Sequence, residues 1–369
     1  MLPHSHTPQT PAGPTLGLTD FVDPHWIDFA LSHINPLLSV QRVKARVVAM
    51  THETPDLLRV ELRPNRLFAG FVPGQAVPLR VTIGGIVHER YYSLTSSPKA
   101  RTLQLGIKKQ PGGVVSGYVH ERLRVGDVVE LGAAAGDFVL PREVPPQLLL
   151  IAGGSGITPM ISLLDAALRC RNVQRVTLLY YARSVLDFAF HQHLRALAER
   201  DSRFRLLAIP EAHPSLQGAP STEHVGRFSS AQLDDALGGL TPDLIYLCGP
   251  SGLVHSVRSE LDGRGLTDRL RCEYFALPTA GAERDTEATI EFRKSRVTAI
   301  SKKPSLLEAA EEAGLQPRSG CRIGICHTCT CTKVEGVVRD RVTGAIDDRP
   351  GSPIRLCVSE PLGPVVLDV

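Results

Sequence analysis

The stretch "SGCRIGICHTCTCTKVEG", residues 319–336, carries Cys321, Cys326, Cys329 and Cys331. The chain has 8 cysteines among 369 residues, so half of them fall in one short loop. Such a loop is built for a metal, a disulfide staple or electron transfer. The leading "MLPHSHTPQTPAGPTLG" has no apolar core of the kind an export signal needs. Reduced thiols and a cytoplasmic location are therefore expected, which favours metal or redox chemistry over disulfides. Cys321-x4-Cys326-x2-Cys329, with Cys357 following after 27 residues, is the plant-type 2Fe-2S spacing. Zinc sites more often pair their cysteines in two short knuckles. The expected ligands are Cys321, Cys326, Cys329 and Cys357. Cys331 has no place in the pattern and reads as structural. His327 lacks the second histidine that a Rieske-type centre needs.

Any fold must therefore deliver Cys357, from a distant segment, to this loop. Residues 1–38 form an extension, with 1–20 expected to be disordered. "DFVDPHWIDFALSHINPLL" (Asp20–Leu38) places Trp26, Ile27, Ala30, Leu31 and Ile34 at helical spacing. It reads as a helix packed on the first domain, or as a docking element for a partner or a membrane surface. Residues 39–143 alternate in short segments punctuated by Gly and Pro, which predicts an antiparallel β-barrel. Residues 144–277 alternate strand-like and helical segments, which predicts a doubly wound parallel α/β domain. A polar linker over 278–286 leads to residues 287–369, an α+β unit. There Ser305 and Glu308 fit a capping box, and Gly314 stands where the helix should stop. The expected fold is thus multidomain. Net charge is only +3 and no long basic block occurs, which argues against nucleic acid as a partner. No apolar run approaches the roughly 20 residues of a transmembrane segment.

Two motifs in the barrel region suit phosphate and a flat cofactor. "ERYYSLTS" sets Arg90 and Tyr92 on one strand face and Ser93 on the other. Arginine can fork two hydrogen bonds to a pyrophosphate, and a tyrosine ring can cover an aromatic edge. "PGGVVSGYVH" then places Gly113 and Ser116 near a helix start, where backbone N–H groups bind phosphate. In the α/β region "LLLIAGGSGITPM" runs a strand into a glycine turn and a helix. Thr158 is the expected N-cap, with Pro159 first in the helix. Pro159 replaces the third glycine of a G-x-G-x-x-G turn, which argues against an ordinary dehydrogenase. Arg183 and Ser184 end the next strand, and Arg227 lies in "VGRF". Cys248, Gly249 and Pro250 end a later strand, followed by Glu273 and Phe275 in "RCEYF".

Together these motifs resemble the ferredoxin–NADP reductase superfamily. The resemblance implies that Arg90 and Ser116 hold flavin phosphates and that Tyr92 and Ser93 contact the ring. Leu94, Gly113 and Val115 join the flavin site. Gly-x-x-Ser after the arginine strand favours FAD over FMN. Gly154, Gly156 and Thr158 would face the pyridine-nucleotide pyrophosphate, and Arg183 and Ser184 would meet its ribose or 2′-phosphate. That favours NADPH, with NADH open. Cys248, Gly249 and Pro250 would lie beside the nicotinamide, while Glu273 and Phe275 approach the flavin. The last unit resembles a β-grasp ferredoxin domain, in which Gly320 and Gly324 would turn backbone N–H groups toward the sulfurs.

Electron counting orders these parts. A nicotinamide gives two electrons as hydride, a 2Fe-2S cluster takes one, and a flavin handles both. Fusion makes the transfer to the cluster intramolecular. Residues 286–369 hold 12 Lys/Arg and 11 Asp/Glu, unlike an acidic, freely diffusing ferredoxin. Domain order resembles that of phthalate-dioxygenase and phenylacetyl-CoA-epoxidase reductases. "WIDFALSHINPLLSVQRVKARVV" with "GCRIGICHTCTCTKVEGVVRD" looks most like reductases feeding acyl-CoA Δ9 desaturases. The implied acceptor is a di-iron desaturase, membrane-bound, with a ring-hydroxylating oxygenase second. A nucleotide-sensing module with a structural zinc knot is the reading of a different class.

Overall fold

The computed structural model describes residues 23–212, 224–275 and 286–369. The expected disorder of residues 1–20 and most of the expected linker lie outside them.

Helix α1 (Pro24–Ile34) is shorter than the apolar spacing suggested, and it is held differently. Its buried residue is Asp28, whose carboxylate accepts from the Val40 N–H (2.6 Å) and the Ser39 hydroxyl (2.7 Å). Burial acts to raise the Asp28 pKa, but these two bonds prevail and leave it below the usual carboxylate value. Trp26, Phe29 and Ile34 stay exposed at 68%, 59% and 78%. A polar anchor thus holds the helix to the segment that follows it, while Ile27 and Leu31 are half-buried.

Alternating apolar residues then build six antiparallel strands. These are β1 (Val43–Thr54), β2 (Leu57–Pro64), β3 (Ala76–Ile83), β4 (Ile86–Ser93), β5 (Leu103–Lys108) and β6 (Val128–Leu131). Their order is β4-β3-β6-β1-β2-β5. A bridge between Leu94 and Leu105 joins the two ends into a barrel. Helix α2 (Val114–Glu121) caps it after β5. Leu62, Leu79, Leu105 and Val77 fill the interior at 0–1% exposure.

The next domain alternates β7 (Gln147–Gly153), α3 (Ile157–Ala167), β8 (Arg175–Ala182), α4 (His191–Arg200), β9 (Phe204–Pro210), α5 (Ser230–Leu237), β10 (Leu244–Cys248), α6 (Ser251–Gly263) and β11 (Leu270–Glu273). The sheet is parallel throughout, in the order β11-β10-β7-β8-β9. Its strands are continuous apolar runs because helices cover both faces. The order reverses direction at β7, so the carboxyl end of β7 is the switch point where such sheets bind ligands. Tyr246 Oη reaches back to the Val139 carbonyl (2.6 Å), and the Gly74 N–H donates to Ser162 Oγ (3.0 Å). These bonds tie barrel and sheet together.

The last domain holds β12 (Ala288–Phe292), β13 (Val297–Ser301), α7 (Leu306–Glu312), β14 (Thr330–Asp340), β15 (Ile346–Asp347), β16 (Ser352–Arg355) and β17 (Ser359–Leu367). Sheet order is β13-β12-β17-β14-β15, with β16 against β14. Strands β12 and β17 run parallel beneath α7, the arrangement of a β-grasp unit. Ser305 caps α7 by accepting from the Glu308 N–H (3.2 Å), and its own hydroxyl donates to the Glu308 carboxylate (2.9 Å). Gly314 takes the left-handed turn beyond the helix, at φ +81°. Arg258 of α6 donates to the carbonyls of Val342 (2.7 Å) and Thr343, fastening this domain to the nucleotide sheet.

Candidate redox site

The barrel opens on one side into a cavity of about 380 Å³. Strand β4 supplies Arg90, Tyr92 and Ser93, α2 supplies Val115 and Ser116, and Phe275 closes the wall from the other domain. Gly113 is the N-cap of α2, so the first N–H groups of the helix face this space. Ser116 Oγ accepts from the Gln110 N–H (3.1 Å), which fixes the turn before the helix. Burial pushes the Tyr92 phenol up to about 12, against the opposing Arg90 charge, so it stays a neutral ring. Ser93 Oγ is buried and has no hydrogen-bond partner. A buried hydroxyl without a partner is costly. One that borders a cavity with an arginine and a helix N-terminus fits a polar cofactor edge. Leu94 lies elsewhere. It is 0% exposed in the barrel core, and its N–H is spent on the Gln75 carbonyl.

A second cavity, about 430 Å³, lies at the carboxyl end of the parallel sheet. Lys108 and Ser155 belong to the walls of both cavities, so the two spaces meet there. The glycine turn coils as a 3₁₀ segment over Gly154–Gly156, and α3 starts at Ile157. Thr158 is therefore inside the helix, not its N-cap, and its hydroxyl donates back to the Ser155 carbonyl (3.0 Å). Pro159 is third, not first. Gly156 is required here: a Cβ on it would stand 2.1 Å from the Cys248 carbonyl oxygen. Arg183 spans Asp56 (2.8 Å) and Asp187 (2.9 Å), and Ser184 Oγ donates to Asp187 (2.9 Å). Burial would raise the Asp56 pKa, but Lys108, the Thr54 hydroxyl and Arg183 outweigh it and hold the carboxylate low. Arg227 lies in the same wall at 89% side-chain exposure, its Nε 3.9 Å from Glu211 Oε2.

Behind this cavity Cys248 and Glu273 end adjacent strands as register partners. Burial holds the Cys248 thiol well above its usual value, and the Glu273 carboxyl beside it adds to that. Burial likewise raises Glu273 to about 8, and its Oε2 has no partner. Both groups are neutral at pH 7 and buried in one strand-end layer.

The cysteine loop wraps through left-handed backbone at Arg322, Gly324 and His327 (φ +59°, +85° and +59°). Gly324 suits this, since a Cβ there would also meet Val358 at 3.0 Å. Backbone N–H groups aim at the sulfurs: Ile325 and Cys326 at Cys321 Sγ (3.2 and 3.3 Å), and Cys321 at Cys326 Sγ (3.2 Å). The Cys357 N–H points at Cys329 Sγ (3.5 Å). The sulfurs pair as Cys321 with Cys326 and Cys329 with Cys357. Among the described residues no three His, Cys, Asp or Glu converge on one ion position. Two sulfur pairs suit the two irons of a 2Fe-2S cluster better than one tetrahedral zinc. Cys331 stands apart on β14, opposite Ile354 of β16, its thiol pushed up to about 12 by burial.

This loop lies against the barrel. His327 Nε2 is 2.8 Å from Asp137 Oδ2, and Arg355 Nη1 is 3.7 Å from the same oxygen. Tyr91, between Arg90 and Tyr92, lines the barrel cavity, and burial together with the nearby Cys326 sulfur pushes its phenol up. Sequence reasoning missed Asp56, Lys108, Asp137 and Tyr91, which are brought to the site by folding rather than by any local motif.

Three family models match: an oxidoreductase FAD-binding domain over residues 44–140, an oxidoreductase NAD-binding domain over 150–259 and a 2Fe-2S iron-sulfur cluster binding domain over 290–362. An NADPH oxidoreductase of Mycobacterium tuberculosis is 32% identical over 341 residues, covering 91% of this chain and 86% of its own length. The glycine betaine monooxygenase reductase subunit of Chromohalobacter salexigens is 26% identical, covering 81% of this chain and 87% of its own. Phthalate dioxygenase reductase shares the fold over 89% of this chain and 98% of its own, at TM-score 0.55 and 24% identity. The chain belongs to the ferredoxin–NADP reductase family of oxidoreductases, among those that join FAD- and NAD-binding domains to a 2Fe-2S ferredoxin domain.

Proposed function

We propose that the chain draws electrons from NADPH and hands them, by way of FAD and the cysteine-loop cluster, to an oxygenase-type acceptor, a membrane-bound fatty-acyl desaturase being favoured. The observation that carries this is the meeting of the two cavities at Lys108 and Ser155, with the cysteine loop against the same barrel. When bound, FAD accepts two reducing equivalents together and releases them singly, and a 2Fe-2S cluster carries one at a time.

The chain's own residues bind and orient. Arg90, Ser116 and the N-terminus of α2 hold flavin phosphates, Tyr92 covers the ring edge, and the partnerless Ser93 hydroxyl takes a polar ring atom. Gly154, Gly156 and the start of α3 receive the dinucleotide pyrophosphate, beside Gly249 and Pro250. Arg183 and Arg227 favour a 2′-phosphate, and hence NADPH over NADH. Cys248 and Glu273, both protonated and buried, place no charge in the layer behind the nicotinamide site. Phe275 closes the flavin cavity against water.

The exposed Trp26, Phe29 and Ile34 of α1 support a membrane-bound acceptor, with the chain on the cytoplasmic side and reaching the membrane through its partner. No described helix is long and apolar enough to cross a membrane itself. An oxygenase acceptor is the second reading, supported by the betaine monooxygenase relative and by a stachydrine N-demethylase reductase subunit of Rhizobium meliloti that is 28% identical. NADPH-driven turnover of a fatty acyl-CoA by a membrane desaturase, against turnover by a ring-hydroxylating oxygenase, decides between them. Turnover with the oxygenase alone would displace the desaturase. Turnover that survives Cys326→Ala would show that the cluster is not the exit.

A further inference from the structure

Helix α1 buries Asp28 and half-buries Ile27 and Leu31, whereas Trp26, Phe29, Ala30, His33 and Ile34 are exposed. At 3.6 residues per turn these five share one face. Their rings line up along it: Trp26 stands edge-on to Phe29 (6.1 Å between centroids), and Phe29 to His33 (4.6 Å). Leu38 and Val40, just beyond the helix, are exposed as well. A basic fringe lies against this end of the chain. Arg46 donates to Asn35 Oδ1 (3.2 Å), Lys44 to the Leu38 carbonyl (3.4 Å) and Asn65 to the Leu37 carbonyl (3.3 Å). Arg63 on β2 is the register partner of Arg46, and like charges directly opposed on neighbouring strands repel. Arg63 and Arg66 are exposed, and no carboxylate among the described residues pairs with either. Residues 23–46 and 63–66 together carry five Lys or Arg against two Asp, one of them the buried Asp28.

We propose that α1 and this fringe bind the surface of an anionic lipid bilayer directly. An exposed aromatic face led by tryptophan, beside arginine and lysine, is the composition of helices that lie in the lipid headgroup layer. An aromatic side chain offers about 150–250 Å² at most, so Trp26, Phe29 and Ile34 together fall short of the ~800 Å² per partner of a stable protein interface. A bilayer asks less of the apolar patch, because its anionic headgroups attract the cations at the same surface. The inference goes beyond the proposed function. This lipid contact is the chain's own, and it would stand with a membrane-bound or a soluble acceptor.

The test uses the purified full chain loaded with its cofactors, sedimented with vesicles of phosphatidylcholine alone or mixed equally with phosphatidylglycerol. Trp26 is the chain's only tryptophan, so its emission reports this face without a label. Anionic vesicles should bind the protein roughly tenfold more strongly than neutral ones and shift the Trp26 emission to the blue. Phe29→Ser with Ile34→Ser should cut that partition by about tenfold. Arg63→Gln with Arg66→Gln should lower it by about the same factor and flatten its salt dependence. NADPH-driven reduction of ferricyanide, a small soluble oxidant, should be unchanged in both double variants, since none of the four residues lines either cavity. No binding to anionic vesicles, equal binding to neutral ones, or wild-type partition of either double variant overturns the proposal. So does a blue shift that grows with protein concentration without lipid, as a second copy on this face would give. Turnover with the oxygenase alone, which displaces the desaturase, would leave every one of these partition values where it was.

Discussion

Cys248 and Glu273 stand side by side at the ends of two parallel strands, at 0% and 5% exposure. Neither is ionised at neutral pH, because burial raises the carboxyl to about 8 and the thiol further still. Below a pH of about 4.5 both the folded and the unfolded chain hold the carboxyl proton. Between there and about 8 only the folded chain keeps it. Stability should therefore fall as pH rises through that window and level off above it. Thermal unfolding of Glu273→Gln is expected to depend less on pH between 5 and 8 than that of the wild type. Parallel curves would mean that Glu273 is charged when folded.

Gly156 is the closest approach of the nucleotide turn to the sheet. Gly156→Ala would drive a Cβ into the Cys248 carbonyl. Overpacking of this kind costs ~1–3 kcal/mol. Displacement of α3 should also raise KM for the pyridine nucleotide more than it lowers kcat. A variant with wild-type Tm and KM would show that the turn can shift freely.

Arg183 lines the nucleotide cavity, already balanced by Asp56 and Asp187. Removing a charge-assisted hydrogen bond costs ~1.5–3 kcal/mol, so Arg183→Ala should reduce the NADPH-to-NADH ratio of kcat/KM by tenfold or more. An unchanged ratio removes Arg183 from cofactor selection and leaves Arg227 as the remaining arginine in that wall.

Lys333 is 0% exposed in the last domain, its ammonium bonded to the carbonyls of Gly336 and Arg349, both at 2.8 Å. Lys333→Met keeps the stem but strands these acceptors, at a cost of ~1–3 kcal/mol. The visible absorbance of the bound cluster should be lost at a lower temperature than in the wild type. Equal bleaching temperatures would show that solvent replaces the ammonium without penalty.

The strands were legible because their burial alternates or runs continuously. "LLRVELRP" and "AVPLRVTI" coincide with β2 and β3, and "LIYLC" with β10. The cysteine spacing was legible too, and folding brings the Cys321 and Cys326 backbones to each other's sulfurs and the Cys357 N–H to Cys329 Sγ. Thr158 was misplaced because the glycines before it already coil, which no residue preference reveals. In α1 the apolar spacing was real, yet Asp28 does the anchoring through atoms eleven and twelve residues away. Tyr91 sat inside a quoted motif as a mere spacer. The Cys326 sulfur near it is more than 200 residues distant in sequence, and nothing in the sequence around it says that the cysteine loop would arrive there.

The contact between Arg258 and the last domain has an evolutionary side. The guanidinium reads the carbonyl oxygens of Val342 and Thr343, which every amino acid carries. Side chains at those two positions can drift without erasing the attachment, provided the backbone keeps its path. A reductase built this way can reshape the rim that greets a new redox partner while its internal alignment is inherited intact.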